Sequence, residues 1–205
     1  MSQKFALLVP IKSLERAKSR LGSPAVERRA ELMRAFAQDA LAAALQSEAV
    51  AQVYVVTDEP GFDVGGVRRL PDEGDGDLNR ALVHAAVRAR LESPNQGVAA
   101  ICADLPSLVA AELTTALGSG LSPRWFVADT AGSGTTLLVA GPGVDLDPHF
   151  GPESSRRHQE SGAVPVRAEL PSLRRDVDTD DDLVEAIALG VGARTRAVLD
   201  TDSFP

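Results

Sequence analysis

The stretch FALLVPI, residues 5–11, is apolar at every position, and its sixth residue is a proline. A strand with one wet face alternates apolar and polar residues, whereas a continuous apolar run of this length is typical of a strand buried on both faces. A polar segment, residues 12–22, follows directly. The opening therefore predicts a buried strand with a polar loop at its carboxyl end.

Strand and helix patterns alternate along the rest of the chain. The predicted strands lie at 53–56, 67–70, 98–102, 125–128, 136–140 and 164–166. The predicted helices lie at 26–45, capped by Ser23 and Pro24, and at 78–91, 110–117 and 181–189, with a polar helical turn at 154–161 and an extended segment at 173–178. Since no repeat or linker divides the chain, we predict one three-layer α/β domain over residues 1–200, with a mostly parallel mixed sheet and a tail at 201–205.

Composition narrows the class of protein. Hydrophobic residues make up 44% and charged residues 24%, which are values of ordinary globular proteins and not of disordered, fibrous or membrane chains. The apolar runs are far shorter than the roughly 20 residues that cross a bilayer, and no leader pattern opens the chain, so we expect a cytoplasmic protein. The single cysteine, Cys102, excludes an intrachain disulfide and a thiolate zinc site. A formal net charge of −8 argues against nucleic acid or an anionic membrane as partner.

In open α/β sheets, ligands bind beyond the carboxyl ends of the strands, so the loops there are the places to look for chemistry. The loop after the first strand carries four cations, Lys12, Arg16, Lys18 and Arg20. Such a loop can bind phosphate groups. A solvated basic surface loop explains the same residues equally well.

Carboxylates follow two later segments. Asp104 comes directly after the apolar strand 98–102, where a turn or helix-capping aspartate is the ordinary alternative. In an extended segment, Asp176 and Asp178 point to the same side with Cα atoms about 7 Å apart. Two anions so placed repel each other, and a divalent cation such as Mg²⁺ removes that repulsion.

The acidic run 176–182 also has two structural interpretations, a calcium-binding loop and a helix cap. A calcium loop of EF-hand type needs glycine at its sixth position and glutamate at its twelfth, and the run has Asp181 and Ile187 there. Helix capping by Thr179 or Asp180 explains residues 180–182 but does not require Asp176 or Asp178.

Two glycine-containing segments remain ambiguous. GSGTT, residues 132–136, precedes a strand and lacks the lysine of a P-loop, so it is either an anion-holding turn or a plain hairpin turn. FGPESS, residues 150–155, begins a polar helix whose free backbone donors could bind an anion, and capping alone also explains its serines. The histidines share no metal-ligand spacing. We treat His84 as a helix residue and His149 and His158 as loop residues, and we find no local context for a covalent nucleophile.

Taken together, these segments resemble the 2-phospholactate guanylyltransferases of coenzyme F420 biosynthesis, the CofC/FbiD family. The matching segments, in chain order, are VPIKSL (9–14) with AKSRL (17–21), TD (57–58), LNRAL (78–82), DLP (104–106), GTT (134–136), FGPES (150–154) and DVDT (176–179). The chain departs from the family pattern at GDGD, residues 74–77, which is more acidic than a plain glycine loop.

The resemblance implies a nucleotidyltransferase fold of the sugar-nucleotide-transferase (GT-A) type. It implies transfer of GMP from GTP to a small phosphorylated three-carbon acid, with release of pyrophosphate and a requirement for Mg²⁺. Bacterial members are similar to enzymes that use phosphoenolpyruvate, while 2-phospho-L-lactate and 3-phosphoglycerate are the alternative acceptors. The product would pass to the next enzyme of the pathway.

The resemblance also implies roles for individual residues. The metal-binding aspartates carry over to Asp104, Asp176 and Asp178, and the phosphoenolpyruvate contacts to Thr136, Gly151 and Ser154. We predict that Lys12, Lys18 and Arg20 are catalytic and bind the nucleotide phosphates, and that Asn79 also binds the nucleotide. A metal-dependent glycosyltransferase and a non-catalytic GTP sensor are the alternative functions.

Overall fold

The computed structural model describes residues 3–11, 26–60, 62, 65–120 and 122–201. The strands in that part of the chain are β1 (Phe5–Pro10), β2 (Val50–Val56), β3 (Val67–Leu70), β4 (Gly97–Ile101), β5 (Arg124–Ala128), β6 (Thr135–Ala140) and β7 (Val164–Pro165). The helices are α1 (Val26–Gln46), α2 (Leu78–Glu92), α3 (Ala110–Leu117), α4 (Ser154–Glu160), α5 (Pro171–Arg174), α6 (Asp180–Leu189) and α7 (Ala193–Asp200). No described helix combines the length and apolar character needed to cross a membrane.

Within the described residues, seven strands form one sheet in the order β3-β2-β1-β4-β6-β5-β7. All neighbouring pairs are parallel except those of β6, which runs antiparallel to both β4 and β5. The predicted single α/β domain with a mostly parallel mixed sheet is confirmed. Because β6 is reversed, its first residues lie at the same edge as the carboxyl ends of the other strands.

Strand β1 is buried on both faces, as its sequence predicts. Phe5, Leu7 and Val9 pack into a core with α1 and α3, while Ala6 and Leu8 pack into a second core with α2. All five side chains are at most 1% exposed. The sheet is therefore the middle layer of three, and its carboxyl edge is left to the connecting loops.

Helix α7 was not predicted from the sequence. Its first turn is capped by a residue far away in the sequence. The carboxylate of Asp39 on α1 accepts hydrogen bonds from the backbone N–H groups of Arg194 (3.1 Å) and Thr195 (2.8 Å). Gly192, which precedes the helix, lies so close to Asp39 that an added Cβ would come within 2.3 Å of it. A cap supplied by another helix leaves no local sequence signal.

Two further predictions need correction. The segment 173–178 was predicted as extended, but Leu173 and Arg174 end helix α5, where Pro171 occupies a first-turn position that suits its fixed φ angle. His158 was treated as a loop residue, whereas it lies in α4 and is fully buried. The predicted tail, apart from Thr201, lies outside the described residues.

Candidate active site

The acidic segments meet at the carboxyl edge of the sheet. Asp104 follows β4, and its carbonyl oxygen accepts a hydrogen bond of 3.0 Å from the backbone N–H of Val177. Val177 is the residue between Asp176 and Asp178. The structure thus joins the two parts of the chain that carry the three predicted metal-binding aspartates.

The backbone around Val177 shows the predicted alternation. Val177 is fully buried in the core, Asp176 is half-buried and Asp178 is exposed. Because the apolar side chain points inward, the carboxylates on either side of it turn away from the core. Asp104 is also half-buried, and its Oδ1 atom is shielded from solvent.

Capping accounts for the acidic residues that follow. Thr179 is the N-cap of α6, and it forms a capping box in which its hydroxyl accepts from Asp182 N–H at 3.2 Å. The Asp182 carboxylate accepts in return from the Thr179 N–H (2.9 Å) and hydroxyl (2.8 Å). Burial raises the pKa of Asp182, but these bonds and Arg175 outweigh it, so the pKa lies below its ordinary value. The carboxylate of Asp182 is thereby committed to the helix start.

The carboxylates of Asp104, Asp176 and Asp178 are suitable ligands for a divalent cation that also binds phosphate. Among the described residues, which include all three aspartates, no group of three or more His, Cys, Asp or Glu side chains is arranged so that it could hold a metal ion. Mg²⁺ does not require one, since it usually takes one or two carboxylates and completes its shell with water and substrate phosphates. Hard carboxylate oxygens at a strand-end edge fit that pattern.

Thr136 lies at an irregularity of the sheet, next to the end of β4. The pairing of β5 with β6 passes from Val127–Leu137 to Ala128–Thr135, so the register skips Thr136, whose hydroxyl donates to the Val127 carbonyl of β5 at 3.4 Å. The Thr136 carbonyl accepts the N–H of Cys102 at 2.9 Å, which ties it to the strand that leads to Asp104. Thr136 is fully buried, and irregularities of this kind often re-aim side chains near active sites.

The turn before Thr136 is a hairpin turn between β5 and β6. Asp129 accepts a hydrogen bond from Gly134 N–H through its Oδ2 atom at 2.8 Å. A Cβ on Gly134 would come within 2.4 Å of that oxygen, so the turn requires glycine there. The hairpin interpretation of residues 132–136 is correct, and anion binding by the turn stays a prediction.

Gly151 and Ser154 lie on the loop that leads into α4. Gly151 has φ +115°, a conformation that favours glycine, and its carbonyl accepts from Ser154 N–H at 3.1 Å. The N-cap of α4 is Glu153, in the left-handed region and without a side-chain cap bond. The serines therefore do not cap the helix. Ser155 N–H instead binds the carbonyl of Ser133 at 3.1 Å, which places this loop beside the β5–β6 turn.

Asn79 contacts the same loop. Its Oδ1 accepts from Phe150 N–H at 2.7 Å, and its Nδ2 donates to the Phe150 carbonyl at 3.1 Å. Asn79 lies in the first turn of α2, which is capped by Asp77. The structure shows this contact with the protein itself, and the predicted contact of Asn79 with nucleotide stays a prediction.

Sequence reasoning missed His158. Its Nε2 accepts from His149 N–H at 2.9 Å, and its Nδ1 lies 2.9 Å from the Thr135 hydroxyl. Burial, together with the neighbouring His149 and Arg157, lowers the pKa of His158 to about 4. A neutral, fully buried histidine thus joins the loop before Gly151 to the strand that carries Thr136. Its partners lie 9 and 23 residues away, and no local pattern indicates them.

The predicted cationic residues Lys12, Lys18 and Arg20 lie outside the described residues. The start of their loop is anchored, because the buried Thr57 hydroxyl donates to the carbonyl of Ile11 at 2.7 Å. That contact places Ile11, the residue before the loop, at the carboxyl edge between the ends of β1 and β2.

The acidic departure at residues 74–77 has a structural explanation. Asp77 caps α2 by accepting from the N–H groups of Asn79 (2.8 Å) and Arg80 (3.2 Å), and Asp75 forms an ion pair with Arg80. A Cβ on Gly74 would come within 2.2 Å of the Asp77 carbonyl. The loop is a compact capping turn that holds Asn79 in place.

A model of the family described as "Guanylyl transferase CofC like" matches residues 5–204. The chain belongs to this family. Phosphoenolpyruvate guanylyltransferase of Streptomyces scabiei is 50% identical to it, and the enzyme of Streptomyces coelicolor is 49% identical. Each alignment covers 95% of this chain and 95% of the relative. The resemblance inferred from the motifs is thus confirmed at the level of the family.

Solved structures of distant proteins share the fold. A Desulfovibrio desulfuricans protein described as a nucleotide-diphospho-sugar transferase superposes with a TM-score of 0.69 at 18% identity, over 99% of this chain and 96% of its own. A 4-diphosphocytidyl-2C-methyl-D-erythritol synthase gives 0.55 at 13% identity, over 92% and 99%. A Mycobacterium tuberculosis protein solved in complex with manganese gives 0.51 at 15% identity, over 92% and 100%. The predicted nucleotidyltransferase architecture is confirmed.

Proposed function

We propose that this protein transfers the guanylyl group of GTP to phosphoenolpyruvate and releases pyrophosphate. Relatives that are about half identical over nearly the whole chain carry that name. The observation that carries the proposal is the hydrogen bond between the Asp104 carbonyl and Val177 N–H, because it joins two acidic segments at the carboxyl edge of the sheet, where β6, which carries Thr136, also begins.

The reaction needs alignment and charge neutralisation more than it needs proton transfer. An oxygen of the acceptor phosphate forms a bond to the α-phosphorus of GTP, and the bond from that phosphorus to the bridging oxygen breaks, so that pyrophosphate leaves. The attacking phosphate is already anionic and requires no activating base. The protein must therefore hold two strongly anionic molecules side by side.

Asp104, Asp176 and Asp178 are proposed to hold Mg²⁺, one ion or two, by their carboxylate oxygens. When bound, the ion neutralises charge on the phosphate groups and brings them together. Thr136, Gly151 and Ser154 would bind the acceptor, and Lys12, Lys18 and Arg20 would bind the triphosphate and the departing pyrophosphate. A cytoplasmic location, and hand-over of the product to the next enzyme of coenzyme F420 biosynthesis, belong to the same proposal.

The test is an acceptor-dependent assay of pyrophosphate release. The purified protein is incubated with GTP and Mg²⁺, alone or with phosphoenolpyruvate, 2-phospho-L-lactate or 3-phosphoglycerate, and the product is identified by mass. We expect the highest kcat/KM with phosphoenolpyruvate, and no release when Mg²⁺ is chelated.

The other outcomes separate the alternatives. A higher kcat/KM with another acceptor would correct the substrate and keep the reaction. Tight GTP binding without acceptor-dependent release would indicate a sensor, and turnover of a sugar nucleotide in place of GTP would indicate a glycosyltransferase. Either of the last two results would overturn the proposal.

A further inference from the structure

Two side chains from different helices hold the backbone immediately before Gly151. Asn79 comes from the first turn of α2, 71 residues from its partner Phe150. His158 comes from α4 and binds the preceding residue, His149. Three backbone groups of two consecutive residues, the N–H of His149 and the N–H and carbonyl of Phe150, are thus bound by side chains.

The Asn79 contact resembles a pair of strand hydrogen bonds. The amide accepts from one backbone group and donates to the other group of the same residue, so only an amide satisfies both at once. A carboxylate of the same shape would accept from Phe150 N–H but would face the Phe150 carbonyl with a second negative oxygen. The contact therefore fixes both the side-chain amide and the loop.

The hydrogen bonds of His158 determine its tautomer. A backbone N–H can only donate, so the Nε2 that binds His149 N–H carries no proton. In the neutral ring the proton lies on Nδ1, which donates to the hydroxyl of Thr135. The ring also packs edge-on against Phe150, with centroids 5.3 Å apart, and Phe150 itself is buried.

These contacts link the two places assigned to the acceptor. Thr135 is adjacent to Thr136 on β6, and His149 and Phe150 are adjacent to Gly151, whose carbonyl binds Ser154 N–H. His158 bridges the strand and the loop, and Asn79 fixes the loop from the other side. The distance between Thr136 and Gly151 thus depends on the side chains of both His158 and Asn79.

We propose that Asn79 and His158 are positioning residues for the acceptor, which set its affinity by fixing the backbone of residues 149–150 against β6. The inference rests on the proposed function and gives Asn79 a role toward the acceptor in place of the nucleotide contact predicted from sequence. Loss of either side chain loosens residues 149–151, which lead to the proposed acceptor contacts, and should leave binding of the nucleotide phosphates unchanged.

The Asn79→Asp variant tests the first half. We expect KM for the acceptor to rise at least about tenfold, since a part-buried hydrogen bond to the Phe150 carbonyl is lost and a repulsion replaces it, while KM for GTP changes less than twofold. Asn95→Asp, the same change at an exposed turn residue beyond α2, is the control and should alter neither constant. A KM for GTP that rises as much as that for the acceptor would show that Asn79 binds nucleotide and would overturn the inference.

His158→Gln and His158→Ala test the second half. Glutamine places an acceptor near the position of Nε2 and should restore much of the acceptor affinity that alanine loses. His84→Gln, on the half-exposed face of α2, is the control. Partial unfolding would lower kcat without raising one KM selectively, so a selective rise separates positioning from a loss of stability. Equal acceptor KM values in wild type and the alanine variant would overturn the inference.

A readout independent of turnover distinguishes this inference from the proposed function. Amide hydrogen exchange of a peptide covering residues 147–153 should be faster in Asn79→Asp and in His158→Ala than in wild type, with the Asn95→Asp peptide unchanged. If wild type turns over no acceptor, the proposed function fails. If exchange is unchanged in both variants, the positioning role fails whatever the activity.

Discussion

The acidic run shows how residues of one type divide between structure and chemistry according to where their side chains point. Asp182 turns back to the start of α6 and is held by Thr179. Asp176 and Asp178 flank the buried Val177, whereas the capping box of α6 is formed by Thr179 and Asp182. Capping therefore accounts for Asp182, within the residues 180–182 for which the sequence predicts it, and metal binding by Asp176 and Asp178 stays a prediction.

This division leads to a prediction at Asp176. The Asp176→Asn substitution keeps the shape of the side chain and removes its negative charge, so pyrophosphate release in the presence of GTP, Mg²⁺ and acceptor should fall at least about 10²-fold, with the unfolding midpoint almost unchanged. Asp181→Asn, an exposed residue in the first turn of α6, serves as the matched control. Near-normal turnover of the Asp176 variant would refute the metal-binding role.

His158 makes stability depend on pH in a definite direction. Its pKa of about 4 in the folded protein lies below the ordinary 6.5, so between these values the unfolded chain binds a proton that the native chain does not. The contribution to the free energy of unfolding is complete above about pH 6.5 and is lost as pH falls toward 4. It amounts to at most about 3 kcal/mol.

Urea unfolding at pH 7, 5.5 and 4.5 measures this contribution. The free energy of unfolding of wild type should fall over that range more steeply than that of His158→Gln, which cannot titrate there. Parallel pH dependences in the two proteins would show that His158 titrates normally.

Among the secondary-structure elements, α7 shows how a helix is specified from outside its own sequence. Its N-cap residue, Gly192, has no side chain to cap with, and Asp39 on α1 supplies both hydrogen bonds from 155 and 156 residues away. Gly192 N–H also binds the carbonyl of Pro106 at 2.8 Å, just after Asp104. The same turn therefore connects α1, α7 and the loop that follows β4.

Asp39→Ala should thus destabilise the protein by about 1–2 kcal/mol, the usual cost of a lost N-cap. Chemical denaturation measures the change, and Asp200→Ala, an exposed acidic residue in the last turn of α7, is the control. A destabilisation no larger than that of the control would show that α7 is held by its packing alone.

Across the whole molecule, the reversal of β6 determines how the site is assembled. An all-parallel sheet would place the start of β6 at the opposite edge, away from Asp104. In this fold, Thr135 and Thr136 lie beside the ends of β4 and β5. The carboxylates, the hairpin turn and the loop before α4 therefore share one edge.

Ligand-induced stabilisation tests this arrangement as a unit. GTP and Mg²⁺ together should raise the melting temperature more than the sum of their separate effects. The cation removes the repulsion between the carboxylates and the nucleotide, and the nucleotide phosphates in turn supply ligands to the cation. Asp178→Asn should lose that extra shift while GTP alone acts as in wild type. An equal extra shift in the variant would mean that the cation binds without this carboxylate.

The sequence alone determined the parts of this protein that depend on short-range patterns. The continuous apolar run 5–11 indicated a strand buried on both faces, the alternation around Val177 indicated two carboxylates on one side, and the ordered motifs indicated the family. In each case the information lies within a few residues, because strand period and capping are local properties.

Only the tertiary structure decided which distant groups meet. The bond from Val177 to Asp104, the capping of α7 by Asp39 and the burial of His158 between Thr135 and His149 join groups from separate elements. Such contacts depend on how the layers pack around the sheet, and packing is set by the sum of many weak interactions rather than by any one segment. For that reason the sequence could predict candidate residues for the chemistry, and the fold determined which distant groups hold their segments in place.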